Sequence, residues 1–176
     1  MFFIPGFIIS ILTCPGIIVH EFAHQLFCRL FKVPVFKVCY FRVGNPAGYV
    51  LHETPKQNWQ SLMISIGPFF VNTIVGFLIA FPASIPLVKF NQGDPADYLL
   101  IYLGVSIAMH AFPSVGDAKS IWNHFEKHGN LFKRILVAPI VGLIYLGAIG
   151  SFVWLDFAYG IGVAVGLPEL FIKLLA

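Results

Sequence analysis

The sequence predicts an all-α polytopic membrane protein of four to five transmembrane helices, with a small β-hairpin between the first and the second. Three observations predict it. Hydrophobic residues make up 58% of the 176 and charged residues only 11%, against about a quarter charged in soluble domains, and the mean hydropathy is +0.84. The apolar residues are gathered in long stretches, and a bilayer span needs about 20 of them. Between the first two stretches lies a β-prone region centred on turn residues. This composition excludes disorder and argues against a soluble globular domain. The net charge of +3 comes from scattered Lys and Arg, with no basic-aromatic stripe, so nucleic acid is not an expected partner. Cys14, Cys28 and Cys39 form an odd set without CxxC spacing, and no disulfide framework is expected.

The first segment runs from Phe2 to about Phe31, apolar until His20, with Pro5 and Pro15 as irregularities. It is apolar like a signal-peptide core but lacks a positive n-region, so it is expected to be retained as a helix. From Val33 to Glu53 the runs VPVFKVCYFRV and AGYVLHE flank Gly44-Asn45-Pro46-Ala47-Gly48, the pattern of a hairpin. Segment two, Trp59 to Val88, has Gly67-Pro68 near its start and Pro82 and Pro86 near its end. Segment three, Ala96 to Pro113, follows the polar loop 91–95. A mixed-charge stretch, Gly116 to Arg134, leads into segment four, Ile135 to Trp154. An apolar tail, Phe157 to Leu175, carries Gly162-x-x-x-Gly166 spacing suited to close helix packing. Pro168 and Glu169 interrupt the tail, hence the count of four or five spans.

Orientation follows from the basic residues between spans. Arg29, Lys32, Lys37, Arg42 and Lys56 follow segment one, and Lys119, Lys127, Lys133 and Arg134 follow segment three, whereas only Lys89 follows segment two. Both positive loops are expected in the cytoplasm and the N-terminus outside. If the tail crosses, Lys173 and the C-terminus come to lie inside.

The chemistry begins at His20-Glu21-Phe22-Ala23-His24, at the inner end of the first helix. A helix advances about 100° per residue, so the two histidines lie one turn apart on one face with Glu21 alongside. This is the HExxH arrangement: two imidazoles bind one zinc ion, whose bound water loses its proton to the glutamate as it attacks a carbonyl. An ionisable side chain at membrane depth is penalised by about 2.5 to 3.5 kcal/mol. Three together call for compensation, which a bound metal supplies.

A catalytic site of this kind takes a third protein ligand. Metzincin-type ligation would need a histidine six residues after His24, where Leu30 stands. Glu53 in the hairpin and Asp117 after segment three are the carboxylate candidates. Asp117 is preferred, because segments one and three enter the cytoplasm beside His24 and Asp117, at the same depth. Pro113 and Gly116 would unwind the helix end and let the carboxylate turn inward. The competing reading of Asp117 is an N-cap for the segment DAKSIWNHF. Asn72, a carboxamide in an apolar helix, reads on its own as a helix-packing hydrogen bond.

HEFAH on one helix, Gly67-Pro68-Phe69-Phe70-Val71-Asn72 on the next and Pro113 to Asp117 ending the third together resemble the site-2 protease family of intramembrane zinc metalloproteases. The resemblance spans about two thirds of the chain. It implies one zinc ion held by His20, His24 and Asp117, Glu21 as catalytic base, and Asn72 positioning the peptide or the reaction oxyanion. It implies a single membrane-embedded metalloprotease domain over residues 1–176, with a catalytic core at about 2–118 and C-terminal helices at about 119–176, a minimal member without a PDZ domain. The family's Leu-Asp-Gly is here Gly116-Asp117-Ala118.

The expected activity is therefore zinc-dependent hydrolysis of peptide bonds in or next to transmembrane segments, the partners being a transmembrane or membrane-adjacent protein substrate and the lipid bilayer. The alternative is a non-catalytic zinc-binding membrane protein, a transporter or an inactive relative. The hairpin, at Phe36 to Tyr40 or Tyr49 to His52, either pairs with extended substrate or is a plain cytoplasmic hairpin. His110 is expected as a packed intramembrane histidine or an orienting group behind a ligand, Cys28 as a buried thiol, and His124 and His128 as part of a solvated helix face.

Overall fold

The computed structural model describes residues 5–175. The start of the expected first segment, Phe2 to Ile4, lies outside them. That segment is not one straight helix: α1 (Gly6–Leu12) and α2 (Cys14–Leu30) meet at Thr13 with an 81° bend. Pro15 stands in the first turn of α2, where its missing N–H costs nothing and its fixed φ favours a helix start.

Strands β1 (Val35–Cys39) and β2 (Tyr49–His52) form the expected antiparallel hairpin, in the register Val35↔His52, Lys37↔Leu51, Val38↔Val50 and Cys39↔Tyr49. The Tyr40 hydroxyl donates to Gln25 Oε1 and ties the hairpin to α2. Helix α3 (Asn58–Ser84) starts with a capping box between Gln57 and Gln60 and continues into a π-helical turn, Ile85–Lys89. Helix α4 (Pro95–Met109) is capped by Asp94, which accepts from Ala96 N and Asp97 N. It ends four residues earlier than the expected segment three and is shorter than a bilayer span.

Helices α2, α3 and α4 pack as one unit. Gly76 and Gly104 let α3 and α4 approach closely, since a Cβ on either would stand 2.8 Å from the other's carbonyl oxygen. Helix α5 (Val115–His128) is amphipathic. It buries Ala118, Ile121 and Phe125 against Val137, Val141 and Ile144 of α6 (Leu131–Gly150), with Leu62 and Ile66 of α3 beside them. The expected solvated face of α5 is half wrong, because His124 is buried while His128 is exposed.

The chain breaks at Ser151–Val153 and at Trp154, whose φ of 63° is left-handed, then continues as α7 (Leu155–Ile161), a π-helical turn Gly162–Gly166 and α8 (Leu167–Leu175). Tyr159 packs on Phe69 and Phe112, and Phe171 on Phe77. The tail thus follows α3 toward its C-terminal end, and α8 reaches the turn Ile85–Lys89. This corrects the expectation that Lys173 ends on the side of the hairpin and α5. The close approach to α4 is made by Gly160, not by the expected Gly162 and Gly166, which have no neighbour within 4 Å of a would-be Cβ.

Among the described residues, three helical stretches are long and apolar enough to cross a membrane, Asn58–Lys89, Leu131–Val153 and Leu155–Leu175, and the bent α1–α2 pair makes a fourth if it counts as one span.

Candidate metal centre

Helix α2 presents His20 and His24 one turn apart, with ring centroids 4.8 Å from each other. Each ring is held from behind by a backbone carbonyl of another helix or its end. His20 Nδ1 lies 2.7 Å from the His110 carbonyl oxygen and His24 Nδ1 lies 2.9 Å from that of Ile64. A carbonyl can only accept, so both imidazoles donate through Nδ1–H and turn Nε2, the atom a metal ion would take, forward. These nitrogens face each other at 3.2 Å, and His24 Nε2 stands 3.4 Å from Asp117 Oδ1.

Asp117 is brought there by a break in the helix, which comes earlier than expected, at Met109, while Gly116, expected to help unwind it, lies in the first turn of α5. Helix α4 stops at Met109, and α5 begins at Val115 under a capping box in which Ser114, not Asp117, is the N-cap. Asp117 Oδ2 accepts from Ser114 N and from Ser114 Oγ, both at 2.7 Å, and Ser114 Oγ accepts from Asp117 N at 3.2 Å. The capping and ligand readings of Asp117 are therefore compatible: one carboxylate oxygen closes the helix start and the other faces the histidines. The Ser114-x-x-Asp117 spacing was itself a legible capping-box signal.

Three potential donors, on His20, His24 and Asp117, lie within 4.8 Å of one another. Lone pairs and a carboxylate directed at one point repel unless a cation lies between them. Tetrahedral zinc with bonds of 2.0–2.1 Å separates its nitrogens by roughly 3.3 Å, close to the spacing of the two Nε2 atoms. The donor set fits zinc.

Glu21 is buried on the same face of α2, and the hairpin returns over it: a Cβ on Gly48 would lie 2.6 Å from Glu21 Cγ and 2.9 Å from Oε1. Glycine is the residue that fits. Beyond these groups opens a cavity of about 600 Å³, lined among others by Tyr49 and Val50 of β2, Ser65 of α3, Pro113, and Ser151 and Asp156 of the C-terminal part.

Residues 13–128 match the model of a family described as "Putative zincin peptidase". The chain belongs to this family. Nothing among curated proteins or solved structures matches it. The family match runs from the bend at Thr13 to the last residue of α5. Zinc is the cofactor that a zincin implies, and peptide hydrolysis its chemistry.

Within this zincin frame, Asn72 stands elsewhere than expected. It is fully buried and lines no part of the cavity. Its Nδ2 donates to the carbonyls of Gly16 (3.1 Å), Ile107 (3.0 Å) and His110 (3.3 Å), which leaves no free N–H for an oxyanion. The expected role in positioning the peptide or oxyanion gives way to a structural one. Asn72 clamps α2 to α4 and holds the same His110 carbonyl that orients His20. The His110 ring makes a separate tie, with Nε2 2.7 Å from Thr13 Oγ1 at the bend. Glu53 is not in the donor cluster, and Cys28 is a buried thiol. Sequence reasoning did not find the carbonyls of Ile64 and His110, which have no side-chain signature, nor Gly48 and Asp156. Asp156 could have been found as the one charge between Arg134 and Glu169.

Proposed function

We propose that the chain is a zinc-dependent intramembrane endopeptidase of the site-2 protease kind, cutting peptide bonds in or next to transmembrane segments. The observation that carries the proposal is the convergence of two imidazole Nε2 atoms and a carboxylate, beside Glu21 and on a cavity wall shared with β2, in a chain whose long helices are apolar and outwardly exposed. His20, His24 and Asp117 would hold one zinc ion. Bound there, zinc supplies Lewis acidity toward a water molecule and the scissile carbonyl. Glu21 accepts the water's proton and delivers it to the leaving nitrogen, and its burial under Gly48 keeps the carboxylate close to the reacting atoms. The Ile64 and His110 carbonyls fix both imidazoles, so no ring has to reorient during the reaction.

A transmembrane substrate hides its peptide groups in its own helix, and extending it exposes them. β2 has one edge paired with β1, and Tyr49, Val50 and His52 reach the cavity. Its other edge supplies backbone partners to an extended peptide. The cytoplasmic placement of the site is supported by the excess of lysine and arginine in the segments that follow α2 and α4.

The test uses protein purified in detergent, with zinc per chain and cleavage of a transmembrane reporter as readouts. Glu21→Gln is expected to keep its zinc and lose roughly 10³-fold in cleavage. Undiminished cleavage by Glu21→Gln, or a wild-type chain that transports zinc across vesicles and cuts nothing, refutes the proposal.

A further inference from the structure

The family match ends at His128, yet the cavity does not. Ser151 and Asp156 close its wall from the C-terminal part of the chain. Asp156 is the sole charged residue between Arg134 and Glu169, and an ionisable group in such a stretch is costly without a function. The stretch is interrupted just where it is needed: α6 ends at Gly150, a single 3₁₀ turn follows, and Trp154 takes the left-handed conformation that is uncommon outside glycine. One turn past this break, Tyr159 stacks on Phe112 with ring centroids 4.9 Å apart, so the start of α7 is held at the level of the stretch that delivers Asp117.

The Asp156 carboxylate is half-buried. It accepts only from its neighbour Phe157 N, and among the described residues it has no basic partner. The cavity has no Lys or Arg on its walls. Asp117 and the two histidines are committed to the metal and Glu21 to proton transfer, which leaves Asp156 as the one carboxylate on the cavity wall without a task or a basic side-chain partner among the described residues. Such a group in a substrate cavity is complementary to a cation that arrives from outside.

We propose that Asp156 is a specificity-determining residue that receives a cationic nitrogen of the peptide substrate, giving the enzyme a preference for substrates with a Lys or Arg close to the scissile bond. The inference rests on the peptidase reading above. A free α-amino terminus offers the same chemistry, and the probes below separate the two sources.

The experiment measures binding and cleavage separately. Fluorescent transmembrane peptides carrying one Arg, stepped through the positions flanking the cleaved bond, are compared with the same peptides carrying neutral citrulline, each with a free and an acetylated N-terminus. In the Glu21→Gln chain, anisotropy is expected to show Arg over citrulline by about tenfold at one position. Adding Asp156→Asn should shrink that ratio toward one, and Asp156→Lys should invert it in favour of a Glu peptide, with zinc content retained throughout. In the active chain the same preference should appear in KM more than in kcat. A preference governed by acetylation and sensitive to Asp156 assigns the carboxylate to the amino terminus. Equal binding of all charged and neutral peptides, or a preference that Asp156→Asn leaves intact, overturns the proposal. A wild-type chain that discriminates in binding but cuts nothing sinks the peptidase reading instead.

Discussion

Two pairs of histidines in this chain share one spacing and nearly one ring-to-ring distance, with the rings crossing at 74° in one pair and 44° in the other. His20 and His24 on α2 have ring centroids 4.8 Å apart, and His124 and His128 on α5 have them 4.9 Å apart. Only the first is a metal centre in form. Its Nδ1 atoms are satisfied by carbonyls from α3 and the end of α4, and its Nε2 atoms face a carboxylate from the start of α5. His124 has neither arrangement. Both its ring nitrogens are buried without a hydrogen-bond partner, and His128 stands exposed. Helical spacing brings rings together. Groups from distant elements decide whether the rings form a site.

The comparison is broken most severely by removing the distant carboxylate. Asp117→Ala should abolish stoichiometric zinc binding and all cleavage, and the broken capping box with Ser114 should also cost about 1 kcal/mol of stability. Metal analysis and thermal unfolding in detergent measure the two losses separately, and an Asp117→Ala chain with full zinc contradicts the assignment.

A smaller effect is expected at the lid over the base. Gly48→Ala sets a methyl group against Glu21, and cleavage should fall at least tenfold while zinc stays bound. Unchanged turnover in a steady-state assay would show that the hairpin yields freely.

Asn72→Leu tests the scaffold behind His20. Losing its bonds to three carbonyls should destabilise the chain by about 1–3 kcal/mol and weaken zinc by roughly tenfold or more through the freed His110 carbonyl. Competitive titration with a chelator reads the second quantity. A loss of cleavage with zinc affinity untouched would return Asn72 to the reaction itself.

The mildest expectation concerns the other pair. Burial, and then the nearby His128, push the His124 pKa below its ordinary 6.5. The folded chain therefore holds fewer protons on His124 than the unfolded chain, and stability falls as pH drops below that value. His124→Leu should flatten this acid slope and leave the chain as stable as before or about 1 kcal/mol more so at pH 7. Melting curves across pH 5 to 8 would reveal a slope that persists in the variant and so belongs to another group.

Much of this was legible in the sequence, and the reasons differ from residue to residue. HEFAH nominates its three side chains because i and i+4 share a helix face whatever surrounds it. The hairpin announces itself through Gly44 to Gly48 between β-prone runs. Asp117 could be nominated only by arguing depth from two helix ends. Asn72 could not be separated from a scaffold residue because an amide aimed at a cavity and one aimed at three carbonyls have the same one-letter code. The course of the C-terminal helices stayed open because hydropathy measures how apolar a stretch is, not whether the next stretch turns back or runs on.

The sequence alone determined that the chain is mostly apolar helix, that two imidazoles and a glutamate share one turn of one helix, and that a carboxylate follows an interrupted helix end. These follow from composition and from the fixed angle per residue. Only the tertiary structure decided which ring nitrogens face the backbone carbonyls, which glycine covers Glu21, and where Asp156 stands. Those answers depend on carbonyls 40 and 90 residues away from the rings they hold and on cavity walls from other elements, whose positions are set by packing that no local pattern encodes.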